Sequence, residues 1–341
     1  MSMPYCTIIV LNYQGEKIIQ ATLESLAQLS YPKDRFEVIV VDNNSHDKSK
    51  EVINVFLKEL SLTTNHCSLV TLFLDKNLGF AGGNNEGIHQ AVGEYVILLN
   101  NDCAVEKNWL TELVKVAEKN EKIFAVGSKV YLLQTNRIQN AGILMFEDGY
   151  GRDVGAVVKG HTQDYAEDVG QFNREKETYA ACAVAVLYRK SILDTIGLLD
   201  DSFFMYYEDV ELSERARMNG YKIMYAPKAI VHHEHATSSG EWSPFFIYHS
   251  ELGRLLHVFF WFPQRIFWRE YLKFAGKSLL RIFYGIKHNK FNQQIQYFKV
   301  SLYVLWKFPS LFSKRTTKLK GIDPRMIEHN YQNIKRNIRS N

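Results

Sequence analysis

The 341-residue chain has four cysteines, Cys6, Cys67, Cys103 and Cys182, and no two of them stand in a C-x-x-C spacing. That leaves no disulfide framework and no thiolate metal cluster to read, and it suits a reducing compartment. No secretory leader is expected either. "MSMPYCTIIVLNYQ" has no basic start and its apolar run stops at Asn12, so the sequence predicts a chain that folds in the cytoplasm. No charge-free apolar run approaches the ~18–20 residues of a membrane-spanning helix. Two common phosphate devices are absent: the loop after the first apolar run reads "NYQGEK" rather than G-x-G-x-x-G, and "GFAGGNN" lacks the Gly-Lys-Ser/Thr ending of a P-loop. A bound nucleotide must therefore be held by other means.

What is present is enough for a large core, with 46% of the residues hydrophobic. The net charge is +4, but from Glu241 onward there are 18 basic and 5 acidic residues, so the preceding body is acidic. This asymmetry predicts two parts with a boundary near Ser239-Gly240: a body over 1–240 and a tail over 241–341. The tail interleaves Phe, Trp and Tyr with Lys and Arg at helical spacing. Basic amphipathic helices of this kind lie in the interface of an anionic membrane; packing on the body with a solvated basic face is the alternative. No nucleic-acid recognition motif accompanies the aromatics, so RNA or DNA is not an expected partner.

Short apolar runs, "CTIIVL", "FEVIVVD", "SLVTLFLD" and "EYVILLN", alternate with helical patterns over the first hundred residues. This is βαβ spacing and predicts an α/β fold, a mainly parallel sheet with helices on both faces. Ligands of such sheets bind at the carboxyl ends of the strands. Those ends carry Asn12-Tyr13, "DNNSHD" from Asp42, "DKNLGFAGGNN" from Asp75, and "NND" from Asn100. Any one of them reads as a turn or cap, but four on one edge point to a ligand. Oxygen donors there suit a diphosphate held by Mg²⁺ or Mn²⁺, with Asp102 supplying the protein's charge and Asn100 and Asn101 assisting.

In the second half, Glu208 and Asp209 open a helix directly after the aromatic approach "SFFMYY". A carboxylate there is either an ordinary first-turn anion or a general base whose pKa burial raises. "HHEH" lacks the partners of a zinc site. If the segment is a strand, alternation places His233 and His235 on one face and His232 on the other, which fits one functional histidine rather than three. "IQNAGILMFEDGYGRDVG" reads as strand, turn, strand, and the polar stretch after it to Thr178 as a mobile loop.

In order along the chain, "TIIVLNYQG", "EVIVVDNNSHDKS", "NLGFAGGNNEGI", "YVILLNND", "IQNAG" and "GLLDDSFFMYYEDVELSERARMNGYKIMYAPKAIVHH" resemble glycosyltransferase family 2, in particular its rhamnosyltransferase-like branch. The resemblance covers about residues 5–240. It implies a GT-A fold, with residues 1–102 holding the nucleotide and 103–240 the acceptor, a nucleotide-diphosphate sugar donor, a divalent cation, and inversion at the anomeric carbon. By the same resemblance Leu11, Asn12, Tyr13 and Asp42 hold base and ribose, and Asn77, Gly79, Phe80, Ala81 and Asn84 form the loop under the donor. Asn100-Asn101-Asp102 matches the family's metal motif, with Asp102 and Asn100 as ligands and Asn101 beside the donor. His232 matches a histidine at the metal or diphosphate, Asp209 the base, and Glu208 a residue that holds the acceptor or the base. The expected function is transfer of a sugar, from dTDP-rhamnose or a UDP-sugar, to a glycan or lipid-linked acceptor in surface polysaccharide synthesis at the inner face of the membrane, with a homo-oligomer possible. The alternative is a sugar-nucleotide-binding scaffold that has lost turnover; retention of both Asp102 and Asp209 favours the enzyme.

Overall fold

The computed structural model describes residues 3–61, 67–159, 162–234 and 242–340. The four Val- and Ile-rich runs form β1 (Cys6–Asn12), β2 (Phe36–Asp42), β3 (Ser68–Phe73) and β4 (Tyr95–Asn100), linked by α1 (Ile19–Ala27), α2 (Ser49–Ser61) and α3 (Gly79–Gln90). They lie side by side in the order β3-β2-β1-β4, all parallel. β1, β2 and β4 are buried on both faces, while β3, at the edge, alternates. Continuous apolar runs go where both faces are covered.

Beyond β4 the sheet becomes mixed. A short strand β5 (Cys103–Val105) and α4 (Trp109–Ala117) precede β6 (Ile123–Leu132). Small strands follow: β7 (Ile138–Asn140), the hairpin β8 (Ile143–Met145) and β9 (Gly151–Asp153), the hairpin β10 (Ala156–Lys159) and β11 (Thr162–Tyr165), and β12 (Lys176–Glu177). Then come β13 (Ala185–Arg189), α5 (Lys190–Ile196), α6 (Glu208–Met218) and β14 (Lys222–His233). β13 is antiparallel to both β4 and β6, and β14 is parallel to β6. Two reversals restore the direction, so β14 ends on the same edge as β1, β2 and β4.

Helices cover both faces, as expected. Ile19, Leu23, Ile53, Trp109 and Leu113 of α1, α2 and α4 pack on one; Ile88, Ile192, Leu193, Leu212 and Ala216 of α3, α5 and α6 pack on the other. The polar stretch before Thr178 differs from the expected mobile loop. It contains the β10–β11 hairpin, and Lys129, 2% exposed, pins it through Asp168 at 2.7 Å and Asn173 at 2.6 Å. Burial works against the Asp168 carboxylate, yet the Lys129 and Tyr131 hydrogen bonds hold its pKa down to about 2.

The tail is helical throughout its described part: α7 (Pro244–Trp261), α8 (Gln264–Lys287), α9 (Phe291–Lys318) and α10 (Pro324–Ser340). It departs from the two-part expectation in one respect. α7 is buried along most of its length, and its Leu255, Val258, Phe259 and Phe260 share one apolar cluster with Ile143, Met145, Tyr179, Phe203 and Val210 of the body. The boundary expected at Ser239-Gly240 lies outside the described residues. Among the described residues, no helix is long and apolar enough to cross a membrane.

Candidate active site

At the carboxyl ends of the strands, amide side chains tie the strands together. Asn101 Nδ2 donates to Asn12 Oδ1 at 2.8 Å, and Asn12 Nδ2 donates to Asp42 Oδ2 at 2.9 Å. Asn43, which sequence reasoning passed over, donates to Asn77 Oδ1 and to the Gly79 carbonyl, both at 3.0 Å, and accepts from Leu78 N–H. Gly15 sits inside this network; a Cβ there would lie 2.1 Å from Asn12 Oδ1. Gly79 has a φ of +73°, and a Cβ on it would meet the Phe204 carbonyl at 2.3 Å, while Phe80 N–H donates to that carbonyl. Here the glycine loop docks on "SFFMYY".

The residues expected to touch a donor therefore divide. Tyr13 is 40% exposed, and Leu11, Asn77, Phe80, Asn100 and Asn101 are partly exposed. Asn12, Asp42, Gly79, Ala81 and Asn84 are buried; Asn84 donates to its own helix at the Phe80 carbonyl. In the structure these five brace the edge from behind, where the expectation put them against the donor. An amide on a strand end looks the same in sequence whether it points outward or across to the next strand.

The candidate metal site follows from β5. After Asp102 the chain folds back and β5 pairs antiparallel with the end of β14, Cys103 opposite His233. This brings His233 Nε2 to 3.0 Å from Asp102 Oδ1. His233 Nδ1 lies 2.6 Å from Gln139 Oε1. A carbonyl oxygen only accepts, so Nδ1 carries a proton and Nε2 is turned toward the carboxylate. An imidazole lone pair and a carboxylate oxygen at that distance need a proton or a cation between them, which is the donor set of a divalent cation site. Asp102, Cys103 and His233 bring their ligand atoms within 4.8 Å of one another. Burial pushes the Cys103 thiol well above its ordinary pKa, and a soft donor suits Mg²⁺ or Mn²⁺ poorly. Asp102 and His233 fit such a cation.

His232 was the histidine expected at the metal. In the structure it is His233 that faces Asp102; His232 points the other way, stacked on Tyr131 with ring centroids 5.7 Å apart and 3.7 Å from Glu106. Strand alternation separates the two histidines, but only the pairing with β5 decides which one meets Asp102. His235 lies outside the described residues.

The carboxylates of α6 are presented by a strained turn. Tyr206 and Tyr207 both have a φ of 70°, a left-handed conformation rare for such residues. Neighbours hold the turn in place. Tyr207 Oη donates to the Gly149 carbonyl and accepts from Gly151 N–H, and Gly253 lets α7 come so close that a Cβ would lie 2.8 Å from the Tyr206 carbonyl. Asp209 then accepts from Ala183 N–H at 3.0 Å and Val210 N–H at 2.8 Å. Burial pushes its carboxyl above the usual range although these N–H groups oppose it. Glu208 is pushed up further, by burial and then by Asp209, and its Oε2 has no hydrogen-bond partner among the described residues.

One strip of backbone connects the two sets. Ala183 N–H binds Asp209, and the next carbonyl, Val184, accepts from Asn100 N–H at 3.0 Å, two residues before Asp102. Asp153, for which the sequence gave no signal, stands between them. Asn140 donates to it at 2.7 Å, burial pushes its pKa to about 6, and its charge interacts with both Asp209 and His233. A cavity of about 330 Å³ opens at Asp153, lined also by Phe146, Asp148, Tyr150 and Arg152.

The sequence pattern of the family described as glycosyl transferase family 2 matches residues 7–197. The chain belongs to this family. It is similar to poly-beta-1,6-N-acetyl-D-glucosamine synthase of Staphylococcus epidermidis, 29% identical over 64% of this chain and 47% of that protein. It is also similar to the O-antigen biosynthesis protein RfbC of Myxococcus xanthus, 28% identical over 71% of this chain and 18% of that protein. The chain thus spans less than half the length of either relative. Its fold is similar to that of GalNAc-T7, solved with UDP, GalNAc and Mn²⁺, at a TM-score of 0.63 and 15% identity over 91% of this chain and 58% of that one. The α/β sheet expected from the strand pattern, and the GT-A fold implied by the resemblance, are what is observed.

In this family 2 chain, the far side of α6 is clamped by the tail. Glu211, fully buried, accepts from Arg215 at 2.7 Å, Lys318 at 2.6 Å and Trp261 Nε1 at 3.3 Å. Lys318 also pairs with Asp200 at 2.8 Å, where Lys314 joins it. Burial works against the Glu211 carboxylate, but the Arg215 and Lys318 cations outweigh it and hold its pKa below the ordinary value.

Proposed function

We propose that this protein is an inverting, divalent-cation-dependent glycosyltransferase that moves a sugar, rhamnose from dTDP-rhamnose or a hexose from a UDP-sugar, to a glycan or lipid-linked acceptor of a surface polysaccharide. The observation that carries the reading is that Asp102 with His233, and Asp209, flank the single strip Ala183–Val184. Asp102 and His233 would hold Mg²⁺ or Mn²⁺, which when bound would neutralise charge building on the departing diphosphate.

Each remaining role falls to this chain's own groups. Tyr13 and, from the glycine loop, Phe80 border the donor. Asp209 accepts the proton of the acceptor hydroxyl as that oxygen bonds to the anomeric carbon. The bond from that carbon to the phosphate oxygen breaks in the same step, with inversion. Asp209 is fixed by two N–H groups, and burial raises its pKa, which favours taking a proton. Glu208, next to it, tunes that affinity. The cavity at Asp153 is of a size for a saccharide, with Phe146 and Tyr150 for the apolar face of a sugar ring and carboxylates for its hydroxyls.

The basic tail supports work at the inner face of the membrane. The test is sugar transfer, or donor hydrolysis, with Mn²⁺ and Mg²⁺, in wild type against Asp209→Asn, on donors chosen by thermal shift. Loss of turnover with donor binding kept supports the reading. Equal, null rates in both proteins, with the donor still bound, favour the scaffold alternative.

A further inference from the structure

The helical pair α8–α9 is anchored at one end only. Near its base Phe267, Tyr271 and Phe274 of α8 and Val300, Val304 and Leu311 of α9 are buried in the shared apolar cluster. At the other end, from Leu279 to Gln296, Gly285 alone is buried. It sits where the helices cross, since a Cβ there would lie 2.9 Å from Gln294 Cβ.

The side chains at this tip are not those of a solvated surface. Leu280 is 70% exposed, Phe283 72%, Ile286 61% and Phe291 44%. Single exposed apolar residues are ordinary, but a concentration of them at the end of a projecting hairpin marks an interaction surface. Lys277, Lys287 and Lys290 stand among them. The charge pattern is one-sided over a wider span: between Tyr271 and Ile322 there are eleven Lys and Arg residues and no Asp or Glu. A second copy of this tip would bring like charges together. An anionic lipid surface supplies both an apolar layer for the side chains and negative headgroups for the lysines.

We propose that the tip of the α8–α9 hairpin, Leu279–Phe291, inserts into an anionic bilayer and holds the catalytic edge near a lipid-borne acceptor. This rests on the membrane-facing part of the function proposed above and names the segment that performs it. The hairpin does not span the bilayer, because cations interrupt both helices. Its insertion is interfacial, with the lysine ammonium groups staying at headgroup level.

The test is sedimentation of the full chain with vesicles of phosphatidylcholine alone or mixed with phosphatidylglycerol, without donor or acceptor. The expected result is binding only to the anionic vesicles. Leu280→Ser with Phe283→Ser should weaken it by at least about tenfold, and Lys287→Glu with Lys290→Glu should reduce it and its salt sensitivity. Neither pair should lower the melting temperature, since the replaced side chains are exposed. Binding by wild type that both pairs leave unchanged overturns the tip while keeping the membrane-facing tail. No anionic-vesicle binding by wild type overturns both. Dimerisation lost in the tip variants, without vesicle binding, assigns the surface to a second copy. Sugar transfer is measured separately in solution, so none of these outcomes decides it.

Discussion

Asp209 and Glu211 are two residues apart on one helix and both are buried, yet their carboxyls are driven in opposite directions. Asp209 faces the strand edge, where burial outweighs the N–H groups of Ala183 and Val210, and its pKa rises. Glu211 faces the tail, where Arg215 and Lys318 meet it, and its pKa falls. Burial alone favours the neutral acid; a cation delivered from a distant part of the chain reverses that. On the proposed reading, one side of α6 exchanges a proton, while the other holds the fold together.

The largest effect should come from the strand-edge side. Asp209→Asn is expected to lower sugar transfer by about 10²–10⁴-fold without lowering the melting temperature, read from initial rates and a thermal melt on the same sample. A strong loss of stability with activity retained per folded molecule would erase the contrast between the two sides.

On the tail side, Lys318→Met should do the reverse. It leaves Glu211 and Asp200 short of a buried cation, a loss of about 3–5 kcal/mol in urea unfolding, and Lys318→Met combined with Glu211→Gln should recover part of it. Between these lies the histidine. Gln139→Leu removes the group that orients His233, and divalent-cation affinity by titration should fall about 10–100-fold, whereas His232→Gln should leave it nearly unchanged.

The smallest effect is a pH dependence. The Glu208 carboxyl has a folded pKa raised above its unfolded one, so its contribution to stability is present below the ordinary glutamate range and is lost as pH rises through the raised value. Glu208→Gln should therefore melt higher than wild type near neutral pH, by about 1 kcal/mol, with the gap closing as the solution is acidified. Glu211, with its pKa lowered, gives the opposite sign: its stabilisation is present above the ordinary glutamate range and lost as pH falls.

The first half of the fold was legible because its signals are local. A run such as "FEVIVVD" is apolar along its whole length because β2 is covered on both faces, and each polar end marks the edge that binds. Asp102 and Asp209 stood out for the same reason, each at the end of a recognisable element. Asp153 did not, since "GRD" in a hairpin carries no pattern and its surroundings come from Asn140, Asp209 and His233. The division at residue 240 was drawn from charge, and charge records which residues face solvent; the apolar face of α7 that joins tail to body leaves no trace in a net count.

By itself the sequence determined the α/β alternation, the polar edge, the family and the basic character of the tail, because periodicity, strand-end chemistry and charge are written in consecutive residues. The tertiary structure alone decided that His233 rather than His232 meets Asp102, that Asn12 and Asp42 brace the edge from behind, and that a lysine over a hundred residues away joins Arg215 in holding the Glu211 carboxyl below its ordinary pKa. Those outcomes depend on which strands pair and which helices touch. Side-chain direction and electrostatic environment are properties of that pairing, and no stretch of chain carries them alone.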